Sequence, residues 1–178
     1  TEAERSKLIT LLSEFKDSVF SGKSGHTDLI VYDIKLTEDK VCYTPSYKIP
    51  DSLLDAVEDQ LTKLLVAGLI EEIDSANNSP LIVIQKPYNR GIRLVNNFVK
   101  LNEITRPEGY IMPDPADIIA KATGANYVSA LDLKDFYWQI PISVNSRPLT
   151  SFRTPFGTFQ WTVLAQGLRG DRPVHKKW

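Results

Sequence analysis

The chain has 178 residues, of which 42% are hydrophobic and 24% charged. That suffices for one domain with a real core and excludes a disordered or collagen-like polymer. The single cysteine, Cys42, excludes an internal disulfide framework, and two histidines, His26 and His175, leave little for a histidine-based metal site. The longest apolar run is a few residues, so no membrane span is expected. The first residue is Thr1, and no leader or lipidation motif is visible, so the chain reads as processed or as cut from something longer. The net charge of −1 hides an asymmetry. Residues 1–80 carry −7 and residues 81–178 carry +6, so the second half is where a polyanion would sit. On charge alone, scattered solvated cations are the simpler reading.

Leu8, Leu11, Leu12, Phe15 and Val19 recur at helical spacing and predict an amphipathic helix over 3–20. Ser21 to Gly25 reads as a turn. Leu29–Leu36 alternates loosely, as a strand does, and Pro45 and Pro50 keep Tyr43–Pro50 extended. Asp51 or Ser52 is placed to cap a second helix striped by Leu53, Leu54, Val57, Leu61, Leu64 and Leu65. Gly68 stands where a helix-ending glycine belongs. Leu81–Gln85 and Arg93–Phe98, separated by a turn over Tyr88–Gly91, predict a hairpin. Pro113–Lys121 reads as a short helix with Ile118 and Ile119 on its buried side. Tyr127–Leu133, Gln139–Ile142, Leu149–Arg153 and Phe159–Val163 read as strands, with Asp132 near the end of the first and Pro155–Gly157 turning between the last two. This mixed order implies an α+β fold.

The run Leu131-Asp132-Leu133-Lys134-Asp135-Phe136-Tyr137-Trp138-Gln139-Ile140 resembles the first catalytic motif of reverse transcriptases, above all those of gypsy-type LTR retrotransposon Pol polyproteins. Five further segments match that family in order and spacing. They are Leu65–Ile70 with Ser79-Pro80, the hairpin Lys86 to Asn102, the linker residues Thr105, Tyr110, Met112 and Pro113, the run Phe152–Gly157, and the loop Leu164–Gly170. The match covers residues 8–170. It implies an α+β fold of fingers and partial palm. The implied division is an N-terminal helix and extended lead-in over 1–50, fingers over 51–125, the N-terminal palm over 126–170, and a divergent tail over 171–178.

The resemblance implies RNA-directed DNA synthesis, a nucleotidyl transfer carried by two Mg²⁺ ions. Asp132 is then the catalytic carboxylate and a metal ligand, with the backbone of Leu133 beside the metal. Lys86 and Arg93 hold the incoming triphosphate, as arginine's planar fork suits phosphate. Asp135 and Phe136 line the triphosphate pocket, and Gln166 touches the sugar. Tyr137 is the steric gate that crowds a ribose 2′-hydroxyl. Outside the motif, Asp132 reads as a strand-end turn residue, Tyr137 as core packing, and Lys86 and Arg93 as surface cations. Lys100, Arg153 and Arg169 are further candidates for template or primer phosphates. The implied partners are an RNA/DNA template-primer and a dNTP, with no membrane, in a cytoplasmic retroelement particle.

The chain departs from the family pattern at four places. Asn97 and Val99 replace an Asp and an Arg, and Tyr32 stands where a His is common. The match stops after Gly170. No Asp-Asp or Glu-Asp pair lies C-terminal to Asp132. One carboxylate does not hold two magnesium ions, so this chain alone is expected not to polymerise. The alternative is a non-catalytic nucleic-acid-binding or protein-interaction module co-opted from a retroelement, using the basic second half and the aromatics Tyr88, Trp138 and Trp161 for contact. With packing partners expected to be absent, residues 158–178 are expected to be the least ordered.

Overall fold

A computed structural model describes residues 1–19, 25–89, 91–107, 114–130 and 132–169. The expectations for the turn at 21–24, for Tyr110, Met112, Pro113, Leu131 and Gly170, and for the tail fall outside these residues. The fold is α+β. Among the described residues, no helix is long and apolar enough to cross a membrane.

Helix α1 spans Glu2–Glu14, capped by Thr1, whose hydroxyl accepts from the amide of Glu4. It ends sooner than its apolar spacing predicts, and none of its residues is buried. A 3-10 turn, Asp51–Leu53, then leads into α2, Leu54–Val66. Neither Asp51 nor Ser52 caps it; Pro50 precedes the turn, and no side chain caps either element. The stripe of α2 works as expected, since Val57, Leu61 and Leu64 are buried. Gly68 adopts φ +68° just past its end, a conformation that favours glycine, and its amide reaches the carbonyl of Leu65 at 2.9 Å.

Strand β1, Ile70–Glu72, follows directly. Strands β2, Leu81–Gln85, and β3, Ile92–Asn96, form the expected hairpin, with Leu81 opposite Asn96 and Gln85 opposite Ile92. Two short helices come next, α3 over Val99–Ile104 and α4 over Pro115–Ala122. Strands β4, Phe152–Thr154, and β5, Gly157–Trp161, complete a three-stranded antiparallel sheet in the order β1-β5-β4.

Several expectations are corrected. Leu29–Leu36 makes only isolated bridges, from Tyr32 to Ile142 and from Leu36 to Thr105. Tyr127–Leu133 forms no strand among the described residues, and Tyr127 and Val128 are exposed. An alternating pattern becomes a strand only where a neighbour takes its backbone hydrogen bonds. Phe136–Gln139 is a 3-10 turn rather than the start of a strand, and Ile142 is reached by bridges alone. Ile118 and Ile119 are exposed, because nothing described packs on α4. Over 158–169 the expected disorder is reversed. Strand β5 is central in its sheet, and Trp161, Val163, Leu164, Ala165 and Leu168 are buried. Its partners β1 and β4 are both in this chain.

Two buried polar residues tie the sheet to the hairpin and to the extended segment before it. The indole N–H of Trp161 donates to Asn96 Oδ1 at 2.9 Å, and Asn96 Nδ2 donates to the carbonyl of Ser79 at 3.1 Å. Asn78, 1% exposed, accepts from the amide of Arg153 at 2.8 Å and donates to the carbonyl of Thr44. Around them, Phe152 packs against Phe159 and Trp161 with ring centres 5.8 and 6.1 Å apart.

The segment 29–36 is tied down by Asp33, whose Oδ1 accepts from the hydroxyls of Ser143 at 2.7 Å and Ser146 at 2.8 Å. The Ser143 bond first, then the Ser146 bond, holds its carboxyl below the ordinary value of 3.8. A lowered folded-state value stabilises the fold above the unfolded-state value and ceases to do so as pH falls through the lowered one. Asp33→Asn should therefore lower stability at neutral pH and flatten the acid limb of the stability curve below pH 3.8, the two proteins converging at the acid end. Urea titrations across that range check this.

Asn96→Ala should cost about 1–3 kcal/mol, because it strands the buried indole N–H of Trp161. Replacing Leu8, Leu11 and Leu12 together by Glu should change stability by less than about 0.5 kcal/mol, since those side chains are exposed. Denaturant unfolding of both variants measures the contrast.

Candidate nucleotide site

The hairpin carries the first two candidate residues. Arg93 lies opposite Ile84, and the amide of Lys86 reaches the carbonyl of Gly91 at 2.8 Å to close the turn. Arg93 is exposed while its neighbour Ile92 is buried, as strand alternation requires. Both cations line a cavity of about 410 Å³. Leu64 and Gln60 of α2 form another part of its wall, and the hairpin residues Ile92–Asn96 a third. Asp135, Trp138, Trp161, Ala165 and Gln166 complete it.

Gln166 is set by a well-anchored loop. Leu164, Ala165 and Leu168 are buried beneath it, and the amide of Leu164 reaches the carbonyl of Ile140 at 2.8 Å. Asn102 clamps the loop by donating from Nδ2 to the carbonyl of Gly167 at 2.8 Å and accepting from the amide of Arg169. Tyr32 adds a bond from its hydroxyl to the carbonyl of Arg169, 2.8 Å long. That assigns Tyr32 a structural task which its departure from the family pattern did not reveal. With the loop so held, Gln166 Oε1 accepts from Nη2 of Arg93, across 73 positions of sequence.

The first-motif residues divide into two groups. Asp135 lines the cavity and takes φ +50° at the head of the 3-10 turn. Trp138 also lines the cavity, is half-buried, and stacks on Trp161 at 6.1 Å. Asp132 and Leu133 are exposed, lie outside regular structure and stay out of the cavity wall. Phe136 and Tyr137 are half-buried against the core, edge to face at 5.9 Å, and also stand outside it. Trp161, expected as an exposed contact aromatic, is only 3% exposed, because its indole completes the core. Tyr88 does remain exposed.

The further cations lie elsewhere. Nζ of Lys100 donates to the carbonyl of Tyr43 at 3.1 Å, and the guanidinium of Arg153 sits 5.6 Å from the centre of the Tyr43 ring. Arg169 Nη1 donates to the carbonyl of Asn102 at 3.0 Å. Asn97 donates to the Tyr47 hydroxyl at 2.9 Å and accepts from the amide of Val99 at 3.1 Å, so it still orders the entry into α3. Gln60, Leu64, Asn96 and Asn102 are the contributors that sequence reasoning missed. Asn96 and Asn102 lay within a matched segment and Leu64 in the apolar stripe of the second helix, while Gln60 carries no pattern that chemistry alone would single out.

Among the described residues, no three of His, Cys, Asp and Glu come together as metal ligands, and Asp132 has no such company.

A family model for reverse transcriptase (RNA-dependent DNA polymerase) matches residues 80–170, half of the chain. The retrovirus-related Pol polyprotein from transposon 412 of Drosophila melanogaster is 30% identical over 94% of this chain and 14% of its own length. The corresponding polyprotein from transposon gypsy is 30% identical over 92% of this chain and 17% of its own. The chain thus spans less than a fifth of these curated relatives. Among solved structures, prototype foamy virus protease-reverse transcriptase matches 96% of this chain and 23% of its own at a TM-score of 0.82, with 24% identity. A foamy viral protease-reverse transcriptase solved in complex with an RNA/DNA hybrid matches at 0.79, covering 99% of this chain and 24% of its own at 21% identity. Members of this family generally use divalent metal ions. Fold, motif order and family match agree: the chain belongs to the reverse transcriptase family and corresponds to part of a retroelement Pol polyprotein of the gypsy kind.

Proposed function

We propose that this chain forms the nucleotide-holding side of an RNA-directed DNA polymerase. The observation that carries the reading is the single cavity in which Lys86, Arg93, Asp135 and Gln166 meet from three distant stretches of sequence. Two cations on one wall suit a triphosphate, and the planar guanidinium of Arg93 binds phosphate oxygens in pairs. Gln166, already held against Arg93, is placed to take the sugar. The backbone of Asp135 and Phe136 serves the phosphate side, and Tyr137 excludes a ribose 2′-hydroxyl. In this reading residues 51–125 are fingers, 126–170 the N-terminal palm, and 1–50 the lead-in.

Asp132 and Leu133 form the magnesium side of the complete polymerase. Because the residues described here place no further carboxylates beside Asp132, the chain by itself extends no primer. The substrates are a dNTP and an RNA/DNA template-primer, in a cytoplasmic retroelement particle. The solved complex of foamy virus enzyme with an RNA/DNA hybrid supports that partner class. Lys100, Arg153 and Arg169 supply backbone contacts to it.

A second reading, a co-opted binding module that could also act in the nucleus, is favoured by the same isolation of Asp132. Retained binding needs only cations and aromatic faces. The two readings part on what the cavity takes.

Arg93→Ala should weaken dATP binding by roughly 10- to 100-fold, the worth of a charge-assisted phosphate contact. Calorimetric or fluorescence titration reads it, and unchanged affinity would remove the triphosphate reading. Primer extension on an RNA template with Mg²⁺ should give no product, while binding of the same template-primer should fall steeply with salt. Extension that disappears in Asp132→Ala would overturn the inactivity. Salt-sensitive binding without dNTP affinity would favour the binding module.

A further inference from the structure

The turn that brings Asp135 to the cavity starts from an uncommon backbone conformation. Asp135 has φ +50° and ψ +37°, a left-handed geometry that a residue with a Cβ takes at a cost, although aspartate tolerates it better than most. The amide of Trp138 reaches the carbonyl of Asp135 at 2.9 Å and closes the 3-10 turn Phe136–Gln139. The last residue of that turn then reaches back across it. Gln139 Nε2 donates to the carbonyl of Lys134 at 2.7 Å, on the peptide that enters Asp135. The carboxamide therefore bridges the left-handed residue while the chain is folded back on itself.

Gln139 is gripped from its other side by the lead-in. Its carbonyl accepts from the amide of Thr27 at 2.8 Å. The lead-in continues along the same stretch, with the Tyr32 amide on the carbonyl of Pro141 at 2.8 Å. Against the Gln139 side chain the lead-in places a glycine. A Cβ on Gly25 would stand 2.9 Å from Gln139 Oε1 and 3.1 Å from Cδ, so any other residue there would push the carboxamide aside. We propose that Gln139 is a positioning residue, whose carboxamide holds the Asp135 turn in its left-handed form, and that Gly25 leaves the room it needs. Gln139 stands outside the cavity wall, whereas Asp135 and Trp138, which its turn carries, stand in it. The assignment of that wall to a nucleotide rests on the reading above; the holding of the turn does not.

The test follows amide hydrogen exchange over residues 134–140 by mass spectrometry, with titrations of dATP and of an RNA/DNA template-primer. Gln139→Leu removes the donor and keeps the bulk. It should quicken exchange in the turn by about threefold to tenfold, the worth of one hydrogen bond. Its dATP affinity should fall by a similar factor, because fewer molecules hold the competent turn. Template-primer binding should change by less than about twofold, since Lys100, Arg153 and Arg169 lie elsewhere. Glycine takes the left-handed form freely, so in an Asp135→Gly background the same Gln139→Leu change should cost less than about twofold more. Gly25→Ala should quicken exchange in the turn as Gln139→Leu does. Unchanged exchange in Gln139→Leu overturns the positioning role, and unchanged exchange in Gly25→Ala overturns the part given to Gly25. Equal losses of dATP and template-primer binding, or an undiminished loss in the Asp135→Gly background, mean a general loosening of the fold and also overturn the role. A wild type that does not bind dATP overturns the nucleotide reading, and the exchange rates then decide on their own whether Gln139 holds the turn.

Discussion

The hydrogen bond from the Trp161 indole to Asn96 is the contact on which the site depends. Trp161 ends the central strand of one sheet, and Asn96 ends β3, the second strand of the separate hairpin. The two sheets share no ladder, so their relative position rests on side chains and on one backbone bond, from the amide of Ser79 to the carbonyl of Ser151 at 2.8 Å. A buried indole N–H without an acceptor is costly, which makes Asn96 more than a polar filler. The same Asn96 also binds the carbonyl of Ser79, fixing the chain as it enters the hairpin. Lys86 and Arg93 are thus aimed by a bond some distance from either.

From Trp161 the constraint spreads to the other wall. Trp138 stacks on it, which sets the 3-10 turn carrying Asp135 beside the cavity. On the third side, Asn102 and Tyr32 hold the Gln166 loop mainly through its backbone atoms. The cavity is consequently framed by three anchored elements. Contacts of this kind precede any ligand and reduce the ordering that binding would otherwise require.

The N-terminal helix and α4 follow a different logic. Leu8, Leu11, Leu12, Ile118 and Ile119 show their apolar faces to solvent. A helix draws most of its stability from packing of that face, so these elements contribute little to the fold described here. Asp132 shares this condition, lying in an exposed stretch without a ladder. Asp132 is accordingly little constrained, while Arg93 and Gln166 are held against each other at the cavity.

Local pattern by itself determined α2 with its buried stripe, the glycine that ends it, the hairpin and the turn at Pro155–Gly157. Each depends on neighbours a few residues apart, through helical spacing, strand alternation or a required backbone conformation. Motif order determined the family and nominated Lys86, Arg93, Asp135 and Gln166. Tertiary structure alone decided which strand-like segments found partners. It made β5 central and left Tyr127–Val128 unpaired with any described strand, because pairing is set by distant chain and not by alternation. It also decided that Trp161 is buried while Tyr88 is exposed, and that Asn96, Asn102 and Tyr32 support the site. An indole, an amide or a hydroxyl carries no sequence mark of its partner, since the bond that gives it meaning closes across tens of residues.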